Sequence, residues 1–242
     1  MAGTSIQDWE AQGLRASVFV RGAHDNPSMW QDLTGEKPET DEYRPREAQR
    51  LQGGAWQSGA LEVQMSPGRI DVLYSPILST GLMFTLGPFD THSKAFANLV
   101  APWIEKSTVD CVRLAFGAIV LARAENREAA YATLERYVSS VKYDATASRE
   151  VSFRINRPVA SRATNIEINR ITNWTSVFIR RGLSAAGGTV PVQEDDLYFA
   201  RLECDVSTPA DRTELLQQEL RVPIFLEMVE FARGNAARGE LG

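Results

Sequence analysis

Arg154, Asn156, Glu167 and Asn169 are the side chains best suited to holding a ligand, because they form the polar face of two stretches that share Ile-Asn-Arg, EVSFRINR (150–157) and IEINR (166–170). A guanidinium, a carboxylate and two amides supply donors and acceptors for a phosphate, a nucleotide or a partner's backbone. Arg157 and Arg162 extend the set into the connecting segment PVASRATN. An antiparallel hairpin with Ile155 opposite Ile168 puts Phe153 opposite Arg170 and Arg157 opposite Ile166 on one side. On the other side, Arg154 then faces Asn169 and Asn156 faces Glu167. The repeated Ile-Asn-Arg therefore reads as a register mark, isoleucine inward and asparagine outward, and the outward face is the candidate ligand- or partner-binding site.

Other chemistries find little support. The glycines of GLSAAGG (182–188) lack the lysine and helix cap of a phosphate loop and read as a hairpin loop, and Ser184 in the same loop is no nucleophile elbow. His24 and His92 are the two imidazoles; His24 reads as adjacent to a helix cap and His92 as a first-turn residue. Cys111 and Cys204 sit far apart in apolar, strand-like runs, so they read as buried inert thiols rather than zinc ligands. The acidic run Glu194-Asp195-Asp196 could supply a Mg²⁺ ligand, but a run just before a strand reads as a solvated turn. Trp174, Phe178, Tyr198 and Phe199 lie near arginines as a base-stacking platform would require, yet aromatics in strands belong first to the core. No metal ligand set, cofactor or catalytic residue is assigned.

The elements that must position these residues follow from periodicity. LRASVFVR (14–21) is a strand, and Asp25-Asn26-Pro27 marks the start of a short helix through Leu33. TGEKPETDEYRPRE (34–47) reads as an exposed loop. A meander follows, with its tight turn at Pro67-Gly68, then a helix capped by Asp90 with Phe96, Leu99, Val100 and Trp103 on one stripe. The second half repeats the order. VRLAFGAIVL (112–121) is a strand, Asn126 caps a helix that turns Tyr131, Leu134, Tyr137 and Val138 inward, and three strands lie near 150–157, 166–180 and 196–206. A helical region begins near Asp211, is broken or kinked at Pro223, and packs Phe225, Leu226 and Val229.

Sliding the halves by about 101 residues places Ala23 on Ala124, Trp30 on Tyr131 and Leu33 on Leu134. The expected fold is α+β, a mostly antiparallel sheet with helices packed on it. It is built from two tandem βαβββα units, 1–107 and 108–242, in one compact body.

Composition bounds the partners. Hydrophobic residues at 43% and charged ones at 24% suit a globular core, and a net charge of −5 argues against a general nucleic-acid binder. Of the 26 basic residues only Lys37, Lys94, Lys106 and Lys142 are lysines; with abundant alanine and glycine this reads as a G+C-rich coding bias. No run approaches the roughly 18–20 apolar residues of a membrane span, and MAGTSIQDWEAQG has no signal-peptide pattern. A cytoplasmic, soluble protein with no membrane partner is expected.

The PGRI turn (67–70), the Phe-containing helix ending WIEK (103–106), the strand VDCVRLAFGAIVL (109–121) and the long C-terminal helix resemble a sporadically distributed family of uncharacterised bacterial proteins of about this length. The strand Arg113-Leu114-Ala115-Phe116-Gly117 departs from the Gly-Leu-Arg-Tyr-like strand of that family. The resemblance implies a bacterial accessory protein from a mobile or defence-associated locus and brings no established activity. Three functions follow for testing. The first is a non-enzymatic protein that binds a protein partner or itself. The others are an enzyme using arginine and carboxylate groups on a phosphate-bearing or nucleotide substrate, and an RNA-binding module.

Overall fold

The strands of this chain all join a single sheet, and the buried apolar positions of its central strands point toward the helices. The computed structural model describes residues 9–77, 84–180 and 196–241. The first half supplies β1 (Glu10–Val20), α1 (Met29–Thr34), β2 (Thr40–Arg44), β3 (Gln49–Trp56), β4 (Gly59–Ser66), β5 (Arg69–Pro76) and α2 (Phe89–Lys106). The second supplies β6 (Cys111–Ala124), α3 (Arg127–Tyr137), β7 (Ser152–Asn156), β8 (Val159–Ala160), β9 (Glu167–Arg180), β10 (Asp196–Ser207) and α4 (Gln218–Arg238), closed by a 3-10 turn at Gly239–Leu241.

The strands form one antiparallel sheet of ten, in the order β2-β3-β4-β5-β1-β6-β10-β9-β7, with the short β8 also on β9. The two halves therefore meet at the β1/β6 pair, where Leu14 lies opposite Ala118 and Val18 opposite Leu114. One buried cluster joins Leu14, Ala16, Val18, Val63, Ile70, Val72, Phe116, Leu202 and Val206 of the sheet to Trp30, Phe96, Val100, Tyr131, Phe225 and Val229 of the helices. The helices thus cover one face, and the other face carries the alternate residues of each strand.

Several expectations hold residue by residue. Gly68 takes φ +77° in the β4/β5 turn, and the Asn126 carboxamide oxygen accepts the Ala129 amide at 2.8 Å to cap α3. Tyr131, Leu134, Tyr137 and Val138 are all buried. Others are corrected. The segment 34–47 contains β2, because Thr40–Arg44 pairs with β3 although every residue of it is exposed. The first half therefore has four strands after its helix rather than three.

The helix starts differ as well. α1 begins at Met29, since the Asn26 side chain accepts the Ser28 amide in a turn before the helix. Asp90 is not the cap of α2 but a first-turn residue bonded to Lys94 and Arg233. α4 starts at Gln218 rather than Asp211 and runs through Pro223, whose missing amide would have bonded to Glu219 in the first turn. Leu226 is largely exposed, whereas Phe225 and Val229 are buried.

Cys111 and Cys204 are buried free thiols. Burial pushes them up to about 11 and about 12 respectively, so neither forms thiolate near neutrality. Iodoacetamide at pH 8 is expected to leave both unmodified in the native protein and to label both in urea, read by intact mass. Rapid native labelling would contradict their place in the core.

Candidate functional site

The hairpin that carries the repeated tripeptide keeps its predicted faces but not its predicted register. Ile155 lies opposite Thr172, not Ile168; Ile168 pairs with Val159. Arg157 meets Arg170 rather than Ile166, donating its amide to the Arg170 carbonyl at 3.1 Å. The shift is four residues, an even number, so isoleucine still points inward and asparagine outward. The longer β7–β8 arm leaves only 161–166 as the connecting turn.

The six candidate residues are consequently dispersed. Asn156 and Asn169 bond to each other at 2.8 Å, and the Asn156 oxygen also accepts the Arg170 amide at 3.0 Å, so this pair fastens the hairpin. Arg157 faces the helix layer and donates to the buried Glu240 at 3.3 Å. Arg162 sits in the turn and is tied to α4 through Glu227 and Glu230. Glu167 is exposed opposite Ala160. Arg154 alone of the six lines a recess on the uncovered face, with Ile171, Asn173, Glu203 and Asp205.

That face holds a second, larger trough of about 500 Å³ at its centre. Gly13 and Gly117 help to line it, on the two strands where the halves of the chain meet. Gly13 sits at a register irregularity of β1, and a Cβ there would meet only the Tyr74 carbonyl oxygen, at 4.0 Å. At Gly117 a Cβ would lie 3.5 Å from the Nε and Nη2 of Arg15, so the guanidinium rests along the floor in the space that glycine leaves. Leu73, Ser75 and Ile119 add to the lining, with Glu62, Glu203 and Asp205 as its acidic groups.

Charge on this face is unevenly satisfied. Arg69 pairs with Asp71 at 2.7 Å, Arg201 pairs with Glu203, and Arg44 pairs with Glu42 at 2.8 Å, each along its own strand. Arg113 donates to the Thr208 carbonyl and stacks 4.4 Å from the Phe19 ring. The two rows of directly paired residues that cross the centre are different. One runs Glu62, Leu73, Arg15, Gly117, Asp205, Ile171, Asn156; the next runs Gly13, Ile119, Glu203, Asn173, Arg154. Among the described residues, Arg15, Asp205 and Arg154 make no hydrogen bond or ion pair, and Glu62 is held only by the neutral Gln64. The Arg15 Nε is also buried with no acceptor. Arg15 and Asp205 are half-buried, whereas Glu62 and Arg154 are exposed; a half-buried charge without a partner carries a desolvation cost that a complementary ligand removes.

The aromatic residues divide. Trp174 is fully buried and Phe199 nearly so, the latter with Leu121 and Leu197 in a small apolar cluster at one end of the uncovered face. Phe178 is largely exposed, its ring centroid 5.1 Å from that of Tyr198. His92 is buried against the Tyr74 hydroxyl at 3.4 Å, and burial lowers its basicity despite the Leu86 backbone bond. No group of three or more potential metal ligands occurs among the described residues. The GLSAAGG loop, Glu194 and Asp195 lie outside the described residues.

Sequence reasoning missed Arg15, Glu62, Asp205, Gly13 and Gly117. One signal was present: an isolated glycine inside the apolar run VRLAFGAIVL marks a close approach, here of a guanidinium. No helix among the described residues is long and apolar enough to cross a membrane. The chain matches no protein-family model and no curated protein.

Proposed function

We propose that this is a non-enzymatic binding protein that holds a protein partner in the central trough of its uncovered sheet face. The observation that carries the reading is the set of unpaired ionic side chains, Arg15, Asp205 and Arg154, on a face whose other charges are mostly paired within it. A rigid ten-stranded sheet suits recognition by preformed groups, because little ordering accompanies binding. The family resemblance belongs with this proposal and adds that the partner comes from a bacterial defence or mobile-locus complex. So does the internal duplication. It is supported by the mirrored strand order about β1/β6 and by the shared burial of Trp30 with Tyr131 and of Leu33 with Leu134.

Gly117→Val separates this function from folding. Valine suits a strand better than glycine, so stability should stay equal or rise by about 0.5–1 kcal/mol. Its methyl groups would displace the Arg15 guanidinium and raise the floor of the trough. Random peptides displayed on phage are selected on the wild-type protein and counter-screened on this variant, with folding checked by thermal melting. Enriched peptides that bind the variant at least tenfold more weakly support the proposal. Finding none, or finding peptides that bind both proteins equally, overturns it.

A further inference from the structure

The unpaired charges of the two central rows sit on β4, β1, β10 and β7, which is every second strand in the sheet order. Their signs alternate: Glu62 negative, Arg15 positive, Asp205 negative, Arg154 positive. Neighbouring strands lie about 4.8 Å apart, so Glu62, Arg15 and Asp205, which share one row, stand about 9.6 Å apart and span about 19 Å, while Arg154 stands in the next row, two residues along the strand. Resting on the proposed function, we infer that the partner segment is an extended, polyproline-II-like polypeptide that crosses the strands and carries basic and acidic side chains alternately at every third residue.

The spacing selects this conformation. A polyproline-II chain turns once in three residues and rises about 3.1 Å per residue, so every third side chain returns to the same face after about 9.3 Å. Two such repeats cover about 19 Å, the length of the Glu62–Arg15–Asp205 row, and a third carries an acidic side chain toward Arg154 in the next row. A β-strand laid the same way repeats a face every two residues, about 6.7 Å, and falls out of step with the second charge. An α-helix repeats after seven residues, about 10.5 Å, and is about 2 Å too long by the third charge. The intervening positions suit prolines, since Leu73, Ile119 and Ile171 present apolar surface between the charges. Such a chain needs no backbone pairing, which the interior of a sheet face cannot offer.

The probe is the synthetic peptide KPPEPPKPPE with blocked ends, compared with KKPPPPPPEE and KPEPKPEPPP of identical composition, by fluorescence anisotropy at low ionic strength. The period-three peptide should bind at least tenfold tighter than either control, and the preference should fade at high salt as the charges are screened. Arg15→Glu, which breaks no hydrogen bond or ion pair in the fold, should weaken it at least tenfold, and the peptide KPPKPPKPPE should recover affinity for that variant. Equal binding of the three peptides, no binding of any, or indifference to Arg15→Glu overturns the inference. If phage selection yields trough-dependent peptides of another spacing, this inference fails while the proposed function stands. A dimer that Arg15→Glu dissociates would instead place a second copy of the chain on the face and would also overturn it.

Discussion

Replacing Trp174 with alanine is expected to lower the unfolding free energy by about 3–5 kcal/mol, the usual loss for a large aromatic removed from a core. The ring is 0% exposed. It stacks on Tyr137 at 5.5 Å, meets Trp9 edge-on at 6.0 Å, and donates its indole N–H to the Thr172 hydroxyl at 3.2 Å. Those contacts join β9 to the C-terminal end of α3 and to Trp9, just before β1, so the cavity cannot close by movement of one element. Urea denaturation followed by circular dichroism reads the change. A loss under about 1 kcal/mol would mean that Trp174 is not a core residue and would restore the base-stacking reading of this strand.

The second large effect concerns Glu227, which α4 buries against the turn of the β8/β9 hairpin. Its carboxylate accepts the Ser161 hydroxyl at 2.7 Å, the Arg162 amide at 2.9 Å and the Arg162 Nε at 3.2 Å. Burial alone would raise its pKa; the Arg162 amide, the Ser161 hydroxyl and the Arg162 guanidinium together outweigh burial and hold it below the ordinary carboxylate range. Glu227→Gln should cost about 2–3 kcal/mol at pH 7, because the buried Ser161 hydroxyl and the part-buried Arg162 amide lose a charged acceptor.

The pH dependence fixes the sign. A folded-state pKa below the unfolded value means that the carboxylate's contribution is complete above about pH 4.3 and is lost as pH falls through the folded value. Urea titrations at pH 7 and in acid should therefore show the gap between wild type and Glu227→Gln narrowing as pH falls. A constant gap would show that the carboxylate's charge contributes nothing. Glu240 should reinforce the acid lability. Burial raises its pKa, and the Ser140 hydroxyl and amide, Arg157 and the Ser139 hydroxyl more than offset that.

Arg162 and Arg157 illustrate how much of the site was legible. Both suit a ligand on residue type, and both are spent on α4 and the C-terminal turn through Glu227 and Glu240. Those carboxylates lie 65 and 83 residues away in the chain, beyond the reach of local pattern. β2 was hidden for a related reason. An edge strand exposed on both faces carries no alternation, so TDEYR looks like a loop until β3 is beside it.

The sequence by itself determined the α+β class, most of the strand and helix order, the inward faces, the cap at Asn126 and the turn at Gly68. Each depends on residues within a few positions of one another, where a period of 2 or 3.6, or a required backbone angle, is decisive. Only the tertiary structure decided that β1 lies beside β6, that the hairpin register is shifted by four residues, and that Arg15, Asp205 and Arg154 share the uncovered face. Strand order and register are settled by which apolar faces bury together across the whole sheet. A side chain's partners across a sheet come from distant segments, so which charges remain unpaired has no local signature.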